Sequence, residues 1–162
     1  MTRPALAAAL LLLTACGDGG GTAAEPADAR AAPAPMPVDK AAVLASLPAP
    51  YDSADLDNGR RVFARCRACH TITEGGPNMT GPNLYGVFGR EAGDKEGYNY
   101  STALREAEFT WDAEQLDHWL ENPREFLRGN KMSFPGIADA ADRRDLIAFL
   151  KVETGYTSAP EE

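Results

Sequence analysis

The chain of 162 residues holds three cysteines, two histidines and four methionines, and five consecutive positions use three of these side chains. Cys66-Arg67-Ala68-Cys69-His70 spaces two thiols three residues apart and sets an imidazole beside the second. Thiols so placed can add to the two vinyl groups of a haem, giving thioethers, and the adjacent imidazole is then carried to the iron. Composition alone would produce this pattern about 0.0007 times in such a chain. Two other uses of a Cys-x-x-Cys pair lack their context here. A thioredoxin-type disulfide sits beside a strand of a βαβ unit, for which the sequence has no pattern. A structural zinc site wants four ligands, and Cys16 and His118 are poor candidates to complete one.

A haem iron has a second axial position, and the candidates to fill it are few. Met1 and Met36 lie in the N-terminal region. Met79 follows His70 by nine residues on the same stretch of chain, so reaching the opposite haem face is hard. His118 sits in a helical pattern beside Asp117. Met132 lies 62 residues after His70 in the loop Gly129-Asn130-Lys131-Met132-Ser133-Phe134. A thioether there suits iron and raises its potential relative to two imidazoles. The other reading of Met132 is a loop methionine packed on the core.

The elements that must position these groups read as helices joined by long loops. Asp55 can cap a helix running to about Arg67, with Leu56, Gly59 and Phe63 on one face. Ser101 can cap a short helix to about Glu106. Asp112 with Gln115 three residues on resembles a capping box and opens a helix to about Glu121. Asn122-Pro123 stops that helix and can start another. The last helix is expected from about Asp139 to Glu153, with an apolar stripe at Leu146, Ile147, Phe149 and Leu150, ending before Gly155. Between Thr71 and Asn99 lie seven glycines and two prolines. So long a loop in a small domain needs an internal organiser, and a haem would serve.

The N-terminal region has a different character. Arg3, an apolar run from Pro4 to Leu13 and Leu13-Thr14-Ala15-Cys16 read as a secretory signal over 1–15. Its end resembles a bacterial lipobox with Cys16 as the acylated residue; an ordinary signal peptide is the alternative. The region 16–50 then reads as the anchor site and a disordered Gly/Ala/Pro linker, with a reach of roughly 30–35 Å. The domain follows at 51–157, and 158–162 is a tail. The formal charge is −8, which disfavours nucleic acid as a partner. No stretch has the roughly 20 apolar residues of a membrane-spanning helix.

Beyond the haem motif, several stretches carry a family resemblance: Gly81-Pro82-Asn83-Leu84-Tyr85-Gly86-Val87-Phe88-Gly89-Arg90, Gly97-Tyr98-Asn99-Tyr100-Ser101, Leu120-Glu121-Asn122-Pro123, Lys131-Met132 and Arg144-Asp145-Leu146-Ile147-Ala148-Phe149-Leu150. From about Leu56 to Tyr156 the chain resembles the mitochondrial-type branch of the class I cytochrome c family. The resemblance implies an all-α, single-haem fold around one covalent haem c. It implies that the Pro82 carbonyl accepts a hydrogen bond from the His70 ring, and that Arg90, Tyr100 and Trp111 surround the haem propionates. It also implies that Gly59 and Phe63 meet Leu146 and Phe149 where the first and last helices cross. Three positions depart from the common pattern: Trp119 stands for tyrosine, Leu104 for asparagine and Asn130 for threonine. In the family these positions make a polar network near the methionine, and the three departures imply that it is altered here.

The function so implied is a one-electron carrier, not an enzyme. It would be a monomer, lipid-tethered on the periplasmic side of a bacterial membrane. It would cycle Fe(II)/Fe(III) between a cytochrome bc1-type donor and a terminal oxidase or reaction centre. Arg65, Arg67, Arg124, Arg128 and Lys131 flank the ligand segments and could form a positive docking ring on an otherwise acidic body; a solvated face is the plainer reading. A haem peroxidase, which needs Met132 to leave the iron, and an assembly module with a purely structural haem are the rival functions.

Overall fold

The computed structural model describes residues 39–157. The expected signal segment, Cys16, most of the expected linker and the tail lie outside the described residues.

Helix α2 (Leu56–Phe63) begins where the Asp55 carboxylate accepts from the amides of Asp57 and Asn58, both at 2.9 Å. It buries Gly59, Val62 and Phe63 against α6 (Ala140–Glu153), which Asp139 caps in the same way. The two helices cross at Gly59. A methyl group on Gly59 would lie 2.2 Å from the Asp145 carbonyl oxygen and 2.6 Å from the Phe149 Cβ, so only hydrogen fits. The Phe63 and Phe149 rings meet 5.7 Å apart, and Leu146 and Ile147 are fully buried. The expected first helix stops short of Arg67. After Phe63 the bonds tighten to i→i−3, with Arg65 N–H on Val62 O and Cys66 N–H on Phe63 O. A tighter turn at a helix end is common, and here it carries the cysteines.

Three further helices frame the other side. Helix α3 (Thr102–Arg105) is capped by the Ser101 hydroxyl on the Leu104 amide. Helix α4 (Ala113–Glu121) starts with the Asp112 carboxylate on the Gln115 amide, 2.7 Å, and buries Leu116, Trp119 and Leu120. Asn122 ends it and caps α5 (Pro123–Phe126). These bounds agree with the sequence reading. No strand occurs among the described residues. Instead an isolated antiparallel bridge joins Glu91 to Thr110, flanked by Trp111 N–H on Arg90 O and Ala92 N–H on Phe109 O.

One expectation is corrected. The reading of 16–50 as disordered linker fails for its last residues. Lys40–Ala45 form helix α1, capped by Asp39. The chain then turns so that Leu47, 4% exposed, packs with Ala54, Ala148 and Val152. Lys40 also pairs with Glu153 at 2.5 Å. Composition misled because Val43, Leu44 and Leu47 cannot build a core alone. They borrow one that α6 already presents. Ala148 and Val152 stand two residues from Leu146 and Leu150, hence on the opposite side of a 3.6-residue helix. Helix α6 is therefore buried on both faces.

Buried polar groups tie the N-terminal half of α6 to its neighbours. Asp145 accepts from the Asp55 amide, Asn58 Nδ2 and Arg144. Burial alone would raise its carboxyl, but hydrogen bonds from Arg144, Asn58 and Asp55 hold it below the usual carboxylate range. Arg143 donates to Asp117 on α4 and to the carbonyls of Ile137 and Ala138.

Candidate cofactor site

Between α2, α4, α6 and the two long loops lies a cavity of about 260 Å³. Its floor is apolar, formed by Phe63, Leu116, Leu120, Leu146 and Leu150, and all eight residues expected to hold a cofactor line it: Cys66, Cys69, His70, Pro82, Arg90, Tyr100, Trp111 and Met132. Met79 is 47% exposed and His118 is exposed on α4. Neither lines the cavity.

The tight turn after α2 sets the motif. Cys69 N–H donates to Cys66 O at 2.9 Å and His70 N–H to the same carbonyl at 3.0 Å. This places two half-buried, unpaired thiols and the imidazole on one short arc. Burial pushes the Cys66 thiol up to about 11, against the pull of Arg65. His70 Nδ1 is 2.7 Å from the Pro82 carbonyl. A carbonyl only accepts, so Nδ1 carries the proton and Nε2 keeps a free lone pair. Burial lowers the proton affinity of the ring, with the Pro82 bond opposing. His70 is thus a neutral imidazole with a fixed tautomer, as a metal ligand requires.

Two residues that sequence reasoning left without roles organise this side. A methyl on Gly81 would meet His70 Cε1 at 2.3 Å, so the backbone lies flat on the ring. Asn83, fully buried, donates to Thr71 Oγ1 and the Thr73 carbonyl and accepts from the Tyr85 amide. The glycine-rich loop therefore has an organiser of its own besides any cofactor. The signal was present in Gly81-Pro82-Asn83-Leu84, but sequence alone does not say which loop asparagine turns inward.

The Glu91–Thr110 bridge sets Arg90 beside Trp111, and Tyr100 lines the same cavity. Tyr100 and Trp111 are each 8% exposed. Burial lowers the Arg90 guanidinium's pKa, and no acidic side chain pairs with it among the described residues. A half-buried cation at an apolar cavity with no carboxylate of its own fits a cofactor that brings carboxylates. Burial also raises the Tyr100 hydroxyl, against the effect of Arg90.

On the far loop, Met132 is half-buried at the cavity with no helix or strand supporting it. Of the three departures, Trp119 and Leu104 line the cavity directly. Trp119 joins an aromatic cluster with Trp111, 5.4 Å between rings, and Phe126, 5.9 Å. The five cations expected to form a ring divide. Lys131 Nζ is held on the Asn99 and Tyr100 carbonyls, both at 3.1 Å. Arg65 pairs with Asp142 at 3.5 Å and Arg128 with Glu125 at 3.3 Å. Arg67 and Arg124 are exposed without an ion pair among the described residues.

The family profile for cytochrome c matches residues 56–152, the span from the start of α2 nearly to the end of α6. The chain belongs to the cytochrome c family. It is similar to the cytochrome c of Kluyveromyces lactis, 40% identical over 105 residues, which is 64% of this chain and 96% of that one. The Gibberella zeae cytochrome c is 43% identical over 101 residues, 62% of this chain and 95% of the relative. Among solved structures, cytochrome cH from Methylobacterium extorquens aligns with a TM-score of 0.57 and 42% identity over 60% of this chain and 98% of that one. This cytochrome is therefore a class I, all-helical electron carrier with one covalent haem c, not an enzyme. Helix α1 lies outside the matched span.

Proposed function

We propose that this cytochrome carries single electrons between membrane redox complexes while tethered through Cys16 to the periplasmic side of a bacterial membrane. The observation that carries the redox part is the cavity itself, which gathers Cys66, Cys69 and tautomer-fixed His70 from one segment and Met132 from another, 62 residues on. In this reading Cys66 and Cys69 would hold the haem through thioethers, and His70 Nε2 and the Met132 sulfur would be the groups that bind its iron. The haem supplies an Fe(II)/Fe(III) couple. With both His70 and Met132 donating to it, the iron would have no open position for a substrate, which disfavours peroxidase chemistry.

The chain's own groups set the conditions for transfer. Leu116, Leu120, Leu146 and Leu150 exclude water, which disfavours the more charged ferric state. A thioether, a weaker donor than imidazole, acts in the same direction. Arg90, Tyr100 and Trp111 receive the propionates. Arg67 and Arg124, free of ion pairs among the described residues, are the best-placed cations to meet an acidic partner surface, whether a bc1-type donor or a terminal oxidase or reaction-centre acceptor. The lipobox-like Leu13-Thr14-Ala15-Cys16 supports a tethered carrier.

The test is haem oxidation in native membranes after an oxygen pulse, comparing the native chain with Cys16→Ser. Fast oxidation that an oxidase inhibitor blocks, together with release of Cys16→Ser into the soluble fraction, is the expected result. Retention of Cys16→Ser on membranes overturns the tether, and oxidation that the inhibitor leaves untouched overturns the oxidase as acceptor.

A further inference from the structure

Met132 sits in a coil that no helix or strand supports, and a single side chain fixes its backbone. Asn130 Oδ1 accepts the Met132 amide at 2.8 Å. The same side chain donates through Nδ2 to the Pro123 carbonyl at 2.7 Å and the Leu127 carbonyl at 2.8 Å. One carboxamide thus uses its acceptor and both its donor hydrogens at once. Pro123 is fully buried at the first position of α5. The next turn of α5 carries Phe126, which packs on Trp119 and Trp111 of the cavity wall.

We propose that Asn130 is a positioning residue for the Met132 thioether, clamping its backbone to the α5 turn behind the cavity and so holding the sulfur where it meets the iron. The proposal rests on the reading of Met132 as an axial ligand. Threonine, the common residue here in the family, offers one donor hydrogen where Asn130 offers two, so a threonine could not make both carbonyl contacts at once. The other strap on the segment is Lys131 on the Asn99 and Tyr100 carbonyls. It ends in an exposed ammonium, where water competes for the same hydrogen bonds, so it is the weaker of the two.

A clamp on the ligand and a merely structural asparagine differ in one measurable respect. Loss of the clamp lets an external ligand displace the sulfur more easily, whereas general loss of stability does not. The experiment titrates the haem-loaded ferric protein with imidazole, following the Soret shift and the sulfur-to-iron charge-transfer band, in the native chain, Asn130→Ala, Asn130→Asp and Leu47→Ala. Leu47 is buried on the outer face of α6, away from the cavity, so Leu47→Ala serves as the stability control. The expected result is about tenfold tighter imidazole binding in Asn130→Ala, the effect of losing about one net hydrogen bond's worth of support for the sulfur-bound loop. Asn130→Asp should match it, because a carboxylate keeps the acceptor but faces two carbonyls without donors. Leu47→Ala should keep native affinity while melting lower. Native affinity in either Asn130 variant, or an equal gain in Leu47→Ala, overturns the proposal. A native protein without the charge-transfer band instead overturns the assignment of Met132 as ligand, before Asn130 is touched.

Discussion

Replacing Gly59 by alanine should destabilise the domain, although alanine is the better helix former. The added methyl would stand 2.2 Å from the Asp145 carbonyl oxygen and 2.6 Å from Phe149 Cβ. Both obstacles are backbone or the root of a side chain, so neither can swing aside. Ordinary contact lies at about 3.5 Å, so α2 and α6 must part by about 1 Å or more. That separation loosens the Phe63–Phe149 contact and the packing around Leu146. Overpacking typically costs about 1–3 kcal/mol, and contact with rigid atoms puts Gly59 near the upper end. Helix propensity returns about 1 kcal/mol, leaving a net loss of roughly 2 kcal/mol. For a domain of this size that is a fall in Tm of roughly 6–12 °C, read by circular dichroism on the haem-loaded ferric form. The charge-transfer band should persist below the transition, because Gly59 does not line the cavity. An unchanged or raised Tm would refute the reasoning, since propensity would then outweigh the close approach.

Leu47→Ala should cost about 2–3 kcal/mol, the lower part of the range for a buried leucine, because its neighbours Val43 and Leu44 are only half-buried. Equal stability in a chain cut before residue 51 would show that α1 is an ornament. Asp145 gives a pH dependence. Its folded carboxyl titrates below its unfolded value, so its contribution is complete above about pH 4 and is lost as pH falls through the lower folded pKa. The substitution Asp145→Asn should lower stability at pH 7 by roughly 1–3 kcal/mol. Denaturant midpoints measured from pH 7 down to 2.5 should then fall less steeply for Asp145→Asn than for the native chain, and parallel curves would count against the linkage.

The chemistry was legible because it is local. The Cys66–His70 spacing, the caps at Asp55, Ser101, Asp112 and Asp139, and the stop at Asn122-Pro123 each act within four residues, and sequence displays such patterns directly. What stayed hidden depends on partners distant in sequence. Leu47 means little until Ala148 and Val152 lie beneath it. Asn83 looks like an ordinary loop residue, and Asn130 like no more than a departure from the family pattern, until their amides find the Thr73, Pro123 and Leu127 carbonyls. The same holds for the cations expected to form a positive ring: nothing local in the sequence says that Asp142 meets Arg65 or that two carbonyls meet Lys131.

Those side-chain bonds to backbone carbonyls explain how long loops can form a rigid cavity. A sheet would satisfy its carbonyls through a ladder. This domain has one isolated bridge among its described residues, so His70, Asn83, Asn130, Lys131 and Arg143 donate to loop carbonyls instead. Each bond contributes only about 1 kcal/mol, but each removes freedom from a segment that would otherwise sample many conformations. Rigidity at this place serves electron transfer. With His70 and Met132 held in place, the two oxidation states of a bound haem would need little rearrangement of the protein, and an electron could enter or leave without waiting for one. Four of the five donors hold the two loops on which His70 and Met132 lie, and Arg143 anchors the end of the Met132 loop to α4. The donors are thus concentrated where movement would do most to slow the transfer.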